Sequence, residues 1–190
     1  ARGSNYFDAI HFTPDIDNKS VNVKFYFHEK MKTNSIVKLN IKTDKGVINK
    51  KFTIRKGQLT SSFNVLIPNM RLWSINDPFL YQVEASLDDD RVESYFGMRK
   101  VSVVNLPNSE FPYVALNNKP IYLQFALDQS YHQDGFYTFP TDQFMKEEII
   151  RSKSIGLNGI RIHIKTEIPR KLYWADKLGL LVVEDLPNSW

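Results

Sequence analysis

From residue 5 to about residue 104, apolar and polar positions alternate in short runs. In "VNVKFYFH" the side chains of Val21, Val23, Phe25 and Phe27 share one face. In "IVKLNIKT" Val37, Leu39 and Ile41 oppose Lys38, Asn40 and Lys42. "KKFTIRK", "SSFNVLIP", "LYQVEASL" and "VESYFGMRKVSVV" repeat the period of two. That period belongs to half-buried strands. Polar turn segments such as Thr43-Asp44-Lys45-Gly46 and Asp88-Asp89-Asp90 separate the runs. About seven such strands in about a hundred residues predict an antiparallel β-sandwich of immunoglobulin type, built without a disulfide.

The pattern changes at Asn105. "NLPNSEFP" reads as a Pro-rich linker, which divides the chain into a sandwich over 1–104 and an α/β segment over 105–190. Beyond it the spacing predicts a strand from Ile121 to Asp128, then a helix from Thr141 to Ile155. Thr141 or Asp142 would cap that helix and Gly156 would stop it. A strand from Ile160 to Lys165 follows. Next come a helix from Pro169 to Leu178 closed by Gly179, and a strand from Leu180 to Leu186. The order β-α-β-α-β implies parallel strands, in a doubly wound sheet or at the start of a (β/α)8 barrel. A whole barrel takes roughly 250 residues, so the 85 after Asn105 hold at most three of its eight strands.

Composition narrows the classes. There is no cysteine, hence no disulfide and no thiolate metal site. The net charge of +4 comes from the first part of the chain, where the lysines are spread at strand-like spacing. A solvated sheet face fits that spread; a nucleic-acid surface calls for a concentrated basic stripe, and no nucleic-acid partner is expected. No run is apolar and long enough for a membrane helix, and no membrane partner is expected. The opening Ala-Arg-Gly-Ser and the abrupt Trp190 give the expectation of an internal fragment. The cellular address is left open.

Candidate chemistry sits at the strand ends of the α/β part. Alternation along the second strand puts Ile160, Ile162 and Ile164 on one face, with Arg161, His163 and Lys165 on the other. The same rule turns Leu123, Phe125 and Leu127 of the first strand toward the helices, and Tyr122, Gln124, Ala126 and Asp128 inward. Glu184 and Asp185 are adjacent, so only one of them can point inward and they cannot form a catalytic pair. Asp128, Arg161, His163 and one of Glu184 or Asp185 thereby become candidate substrate-binding groups at the carboxyl ends of the strands, where barrel enzymes place their sites. The alternative is an ion pair, Arg161 with Asp128 or Glu184, that fills a barrel interior. His132 and Asp134 in "SYHQDG" are two potential metal ligands without a third, which reads as a solvated loop. No metal and no cofactor are expected. Trp73, Tyr81 and Phe96 suit either a sandwich core or a sugar-stacking platform.

Two segments resemble glycoside hydrolase family 2. "LWSINDPFLYQVEASL" followed by "FGMRKV" is similar to the end of that family's immunoglobulin-like domain. The run "LNNKPIYLQFALDQSYHQDG", "EEIIRSKSIGLNGIRIHI" and "ADKLGLLVVEDLP" resembles the opening of its catalytic barrel. The resemblance implies a glycosidase acting on O-glycosidic bonds, of the β-galactosidase group, with a β-glycoside as substrate and a periplasmic or extracellular leaning. It also implies that the general acid/base and the nucleophile lie beyond the third barrel strand, so that the 190 residues alone are inactive. Arg161 carries over as a site-lining residue. Departures exist too: "FALDQ" stands where many relatives have a Gly-Val-Asn-Arg-His type sequence, and "IHIKTEIP" replaces Ser-His-Tyr-Pro after Arg161.

Two other classes stay open beside the enzyme reading. One is a non-catalytic carbohydrate-binding or structural sandwich module; the other is a small doubly wound domain with its own ligand, for which no nucleotide fingerprint is present. Because three barrel strands leave an unpaired edge and uncovered apolar surface, self-association of the chain is expected.

Overall fold

The structure is a computed structural model and describes residues 5–187. The chain divides into two compact units, the first made of residues 5–72 and 80–100 and the second of 73–79 and 101–187.

The first unit contains seven strands: β1 (Phe7–Asp15), β2 (Ser20–Phe27), β3 (Ser35–Thr43), β4 (Gly46–Ile54), β5 (Thr60–Leu66), β6 (Tyr81–Leu87) and β7 (Asp90–Phe96). They form a three-stranded sheet in the order β1-β2-β5 and a four-stranded sheet in the order β4-β3-β6-β7, with every pairing antiparallel. Two sheets in that order make an immunoglobulin-type sandwich, as the alternation predicts. The alternating positions are its core. Val21, Val23, Phe25 and Phe27 of β2, Val37, Leu39 and Ile41 of β3, and Tyr81, Val83, Ala85 and Leu87 of β6 are all buried. Each large apolar side chain among them contributes about 1.5–3 kcal/mol by leaving water. Tyr81 lies flat against Phe96 at 5.0 Å between ring centroids. Its hydroxyl accepts the Arg71 N–H at 2.6 Å, so the one polar group of this ring is satisfied inside the core.

The second unit begins with β8 (Val101–Asn105), β9 (Pro112–Leu116) and β10 (Lys119–Pro120), an antiparallel sheet in the order β10-β9-β8. The expected linker at 105–112 is therefore the connection of a β-hairpin. Asn105 pairs with Pro112, and Asn108 takes a left-handed φ of 64° in the turn. Pro and Asn there mark a turn as readily as a linker.

Next come β11 (Phe125–Asp128), α1 (Asp142–Ser154), β12 (Gly159–Ile162), α2 (Pro169–Leu178) and β13 (Leu181–Glu184). The three strands are parallel in the order β11-β12-β13. Both helices have the ends the sequence predicts. The Thr141 side chain accepts the Phe144 N–H at 3.0 Å, and α2 ends at Gly179 with φ 80°. A side chain at Gly179 would meet the Ile75 carbonyl at 2.3 Å, so both the conformation and the space require glycine. Lys153 of α1 donates to the Leu178, Gly179 (3.1 Å) and Ile75 (2.7 Å) carbonyls, capping α2 from its neighbour. Burial pulls its pKa below the usual lysine value.

The strands are shorter than the alternation predicts. Ile121 N–H donates to the Val114 carbonyl at 2.9 Å, and the next residues meet one side chain: Asn158 donates through Nδ2 to the Tyr122 carbonyl at 2.7 Å and accepts the Gln124 N–H through Oδ1 at 2.9 Å. β12 stops at Ile162 because Ile164 adopts φ 50°, which no strand residue can hold. Beneath the sheet, Ile149, Ile160, Ile162, Ala175 and Leu180 form a buried cluster, with Trp174, Leu178 and Val182 packed against it. Trp73 is fully buried in this unit, its Nε1 donating to the Asp176 carbonyl at 2.6 Å.

Candidate functional site

Paired residues in a parallel sheet point to the same side. Ala126, Ile160 and Val182 align across the three strands, as do Asp128, Ile162 and Glu184; both rows face the helices, where the isoleucines are buried. Leu127, Arg161 and Val183 align on the opposite face. Arg161 therefore stands away from the helical layer, with its side chain 53% exposed. Its Nε and Nη2 donate to the two oxygens of Asp185 at 3.1 and 2.9 Å, a bidentate fork. Those hydrogen bonds hold the Asp185 carboxyl below its usual pKa. Arg161 is half exposed, so solvent screens the pair and it counts for little in holding the fold together.

The structure corrects the facing of Asp128 and, of the alternatives Glu184 and Asp185, brings Asp185 to Arg161. Asp128 was expected beside Arg161, but it lies on the helix side, as does Glu184. The reason is visible in β11 and β12. Gly159 has no side chain, and the ring of Phe125 occupies the space above it; a Cβ at Gly159 would come within 2.1 Å of that ring. The apolar row Phe125 and Leu127 thus belongs to the face of Arg161, contrary to the rule that apolar residues turn toward helices. Asp128 is tolerated underneath because Lys171 of α2, 1% exposed, bonds to its Oδ2. His163 and Lys165 lie beyond the end of β12, so strand alternation does not govern them. The backbone N–H of His163 donates to the Asp128 carbonyl at 3.0 Å, and Asp185 N–H to the Ile162 carbonyl at 3.0 Å, tying the three strand ends together.

Around Asp128 and Glu184 runs a polar network that the alternation does not reveal. Lys171 Nζ also lies 3.3 Å from Glu148 Oε2, close enough for charge attraction though outside hydrogen-bond geometry. Ser130, 1% exposed, bonds through its hydroxyl to Glu167, itself 3% exposed. The other Glu167 oxygen accepts the Ile168 N–H at 2.8 Å and lies 3.3 Å from Lys165 Nζ, and the Glu167 N–H donates to Glu184 at 2.8 Å. Burial tends to raise the Asp128 carboxyl, but the bond and charge of Lys171, helped by Ser130, outweigh it and leave the pKa below the usual value. The one signal in the sequence is Lys171 itself, which falls on the buried stripe of α2 with Ala175 and Leu178.

His132 also departs from expectation. It is buried rather than solvated, with its ring against Phe139 at 4.5 Å and Phe144 at 5.0 Å, and among the described residues its Nε2 has no hydrogen-bond partner. A cleft of about 570 Å³, lined by Ala126, Phe144, Ile155 and Ile160 among others, runs beside the free edge of β11. Trp73, Tyr81 and Phe96 are core residues; their burial removes them as a stacking platform.

A seven-stranded sandwich, followed along the chain by two β-α-β crossovers with Arg161 on the face away from the helices, defines a two-part protein of β-sandwich and parallel α/β segment. The family model for glycosyl hydrolases family 2 matches residues 5–99, half of the chain, and the chain belongs to that family. It is 27% identical over 182 residues to a β-galactosidase of Thermoanaerobacterium thermosulfurigenes, covering 92% of this chain and 23% of the relative. Over 134 residues it is 27% identical to a β-glucuronidase of Streptococcus agalactiae, covering 67% of this chain and 21% of the relative. The crystal structure of a β-D-mannosidase from Dictyoglomus thermophilum shares its fold, with TM-score 0.83, 20% identity, and coverage of 96% of this chain and 24% of that one. The chain thus spans less than a quarter of each.

Proposed function

We propose that the chain is part of a glycosidase that hydrolyses β-hexosides, with β-galactosides as the preferred class. In this reading β11 to β13 are the first three strands of an eight-stranded barrel, and Arg161 with Asp185 forms part of one wall of its sugar site. The observation that carries the reading is the position of Arg161, on the face away from the helices and forked to a carboxylate at the carboxyl ends of parallel strands. The free edge of β11 and the cleft beside it are where a further strand and helix of a closed barrel would fit. His163 is assigned to the rim of the same wall. Asp128 and Glu184 act from beneath, by bracing the strand ends.

The relatives' names span galactoside, glucuronide and mannoside specificities; the galactoside is favoured by the two β-galactosidase relatives that match 92% and 89% of this chain, and charge bears on the uronate. Three cations gather at the carboxyl ends, and all are already matched: Arg161 by Asp185, Lys165 by Glu167, and Lys171 by Asp128 and Glu148. On the face of Arg161 that leaves no unmatched cation to hold a uronate, which favours a neutral hexose.

Hydrolysis needs two carboxyls flanking the bond, one as acid/base and one as nucleophile or base. The reading assigns both to chain outside residues 1–190, so the 190 residues alone are expected to be inactive. The test is a panel of aryl β-glycosides given to the full-length polypeptide. Highest kcat/KM on the galactoside and lowest on the glucuronide is expected; preference for the glucuronide would refute the charge argument, and no turnover of any member would refute the glycosidase reading. Leu127 and Val183, 54% and 46% exposed on the face of Arg161, further favour self-association of the isolated chain. Sedimentation that returned a monomer across concentrations would count against that.

A further inference from the structure

We infer that the loop between β11 and α1 carries a sugar-stacking subsite, formed by the rings of Phe136 and Tyr137 and braced by Tyr131, which receives the leaving-group sugar of a disaccharide substrate. The inference rests on the glycosidase reading above and assigns a second ligand contact to it.

Three large aromatic side chains stand out of this loop. Tyr131, Phe136 and Tyr137 are 60%, 64% and 66% exposed. Tyr131 meets Phe136 at 6.1 Å and 77°, and Tyr137 at 5.4 Å and 89°, so the three rings form one edge-to-face cluster. Exposed rings on a slack loop would fold back onto the protein or move freely. Here the loop beneath them is fixed. His132 and Phe136 exchange two backbone hydrogen bonds of 2.8 Å, and Thr138 closes onto the Gly135 carbonyl through its N–H at 2.8 Å and its hydroxyl at 2.7 Å. His132 is wedged between Phe139 and Phe144, and Ser130 is bonded to buried Glu167. Lys165, from the loop after β12, donates to the Tyr137 carbonyl at 3.1 Å.

That last bond fixes the location. The cluster rises from the same carboxyl ends of the strands that carry Arg161 and Asp185, and Lys165 joins it to the loop after β12. A rigid group of flat rings exposes apolar area that water disfavours, with phenol hydroxyls at its rim. The apolar face of a pyranose, edged by hydroxyls, matches that surface in shape and polarity. A loop that rises beyond the strand ends lies outside the bond-breaking level, so the sugar it meets is the one that leaves.

The experiment compares Phe136→Leu and Tyr137→Leu in the full-length enzyme on two substrates, lactose and β-galactosyl fluoride. The fluoride has no leaving-group sugar to place on the rings. A KM for lactose raised about tenfold, with kcat/KM on the fluoride unchanged and activity on lactose restored in Tyr137→Phe, is the expected result. Equal losses on both substrates, or no loss on either, would overturn the subsite while leaving the glycosidase reading standing. An unaltered enzyme that cleaves neither substrate would overturn that reading and the subsite with it.

Discussion

Lys171 shows most clearly what one residue does here. It is 1% exposed, and its ammonium is placed between Asp128 and Glu148. Lys171→Met keeps the aliphatic stem but leaves two carboxylates facing each other without a cation, so it should cost about 3–5 kcal/mol in denaturant unfolding. Asp128 has a folded pKa below its unfolded one. The stability it contributes is therefore complete above about pH 4 and is lost as pH falls through the lowered folded value. Asp128→Asn should be less stable than the parent at neutral pH, and the gap should narrow on acidification below about pH 4, as measured by urea midpoints across pH. Alternation could place Arg161 because β12 is regular through Ile162. It could not place Asp128, since its facing depends on a cation supplied from a helix more than forty residues further on. His163 was beyond its reach for another reason: β12 ends at Ile162, ahead of the left-handed Ile164.

At the scale of elements, local signals decide almost everything in the helices and less in the parallel strands. Thr141, Pro169, Gly156 and Gly179 mark both helices because capping is a short-range effect, legible in a few neighbouring residues. Thr141→Ala should lower stability by about 1 kcal/mol, read from the thermal midpoint. The sandwich strands were equally legible, each burying one face and wetting the other. The first parallel strand was overextended, since the pairing of residues 122 and 124 with the Asn158 side chain looks like strand pattern in the sequence. Gly159→Ala tests the packing between β11 and β12. Its new methyl would strike the Phe125 ring, and a loss of roughly 1–3 kcal/mol is expected, recovered in part by pairing it with Phe125→Leu. The 105–112 segment was misread because a hairpin turn and a linker share their residues.

At the scale of the whole molecule, a chain of glycosyl hydrolases family 2 carries a sandwich with a buried aromatic core and a parallel segment whose Arg161 is turned away from the helices. The fold class of the first unit follows from composition and period alone. The function does not, because the relatives' names carry several sugar specificities and the pairings of this chain's charged residues are visible only in three dimensions. The most direct measurement is the kinetics of Arg161→Ala in the full-length enzyme on an aryl β-galactoside. Because the side chain is half exposed, the variant should keep its thermal midpoint while kcat/KM falls roughly tenfold or more, the loss of hydrogen bonds from a charged donor. A kcat/KM equal to that of the unaltered enzyme would contradict the assignment of Arg161 to the sugar site.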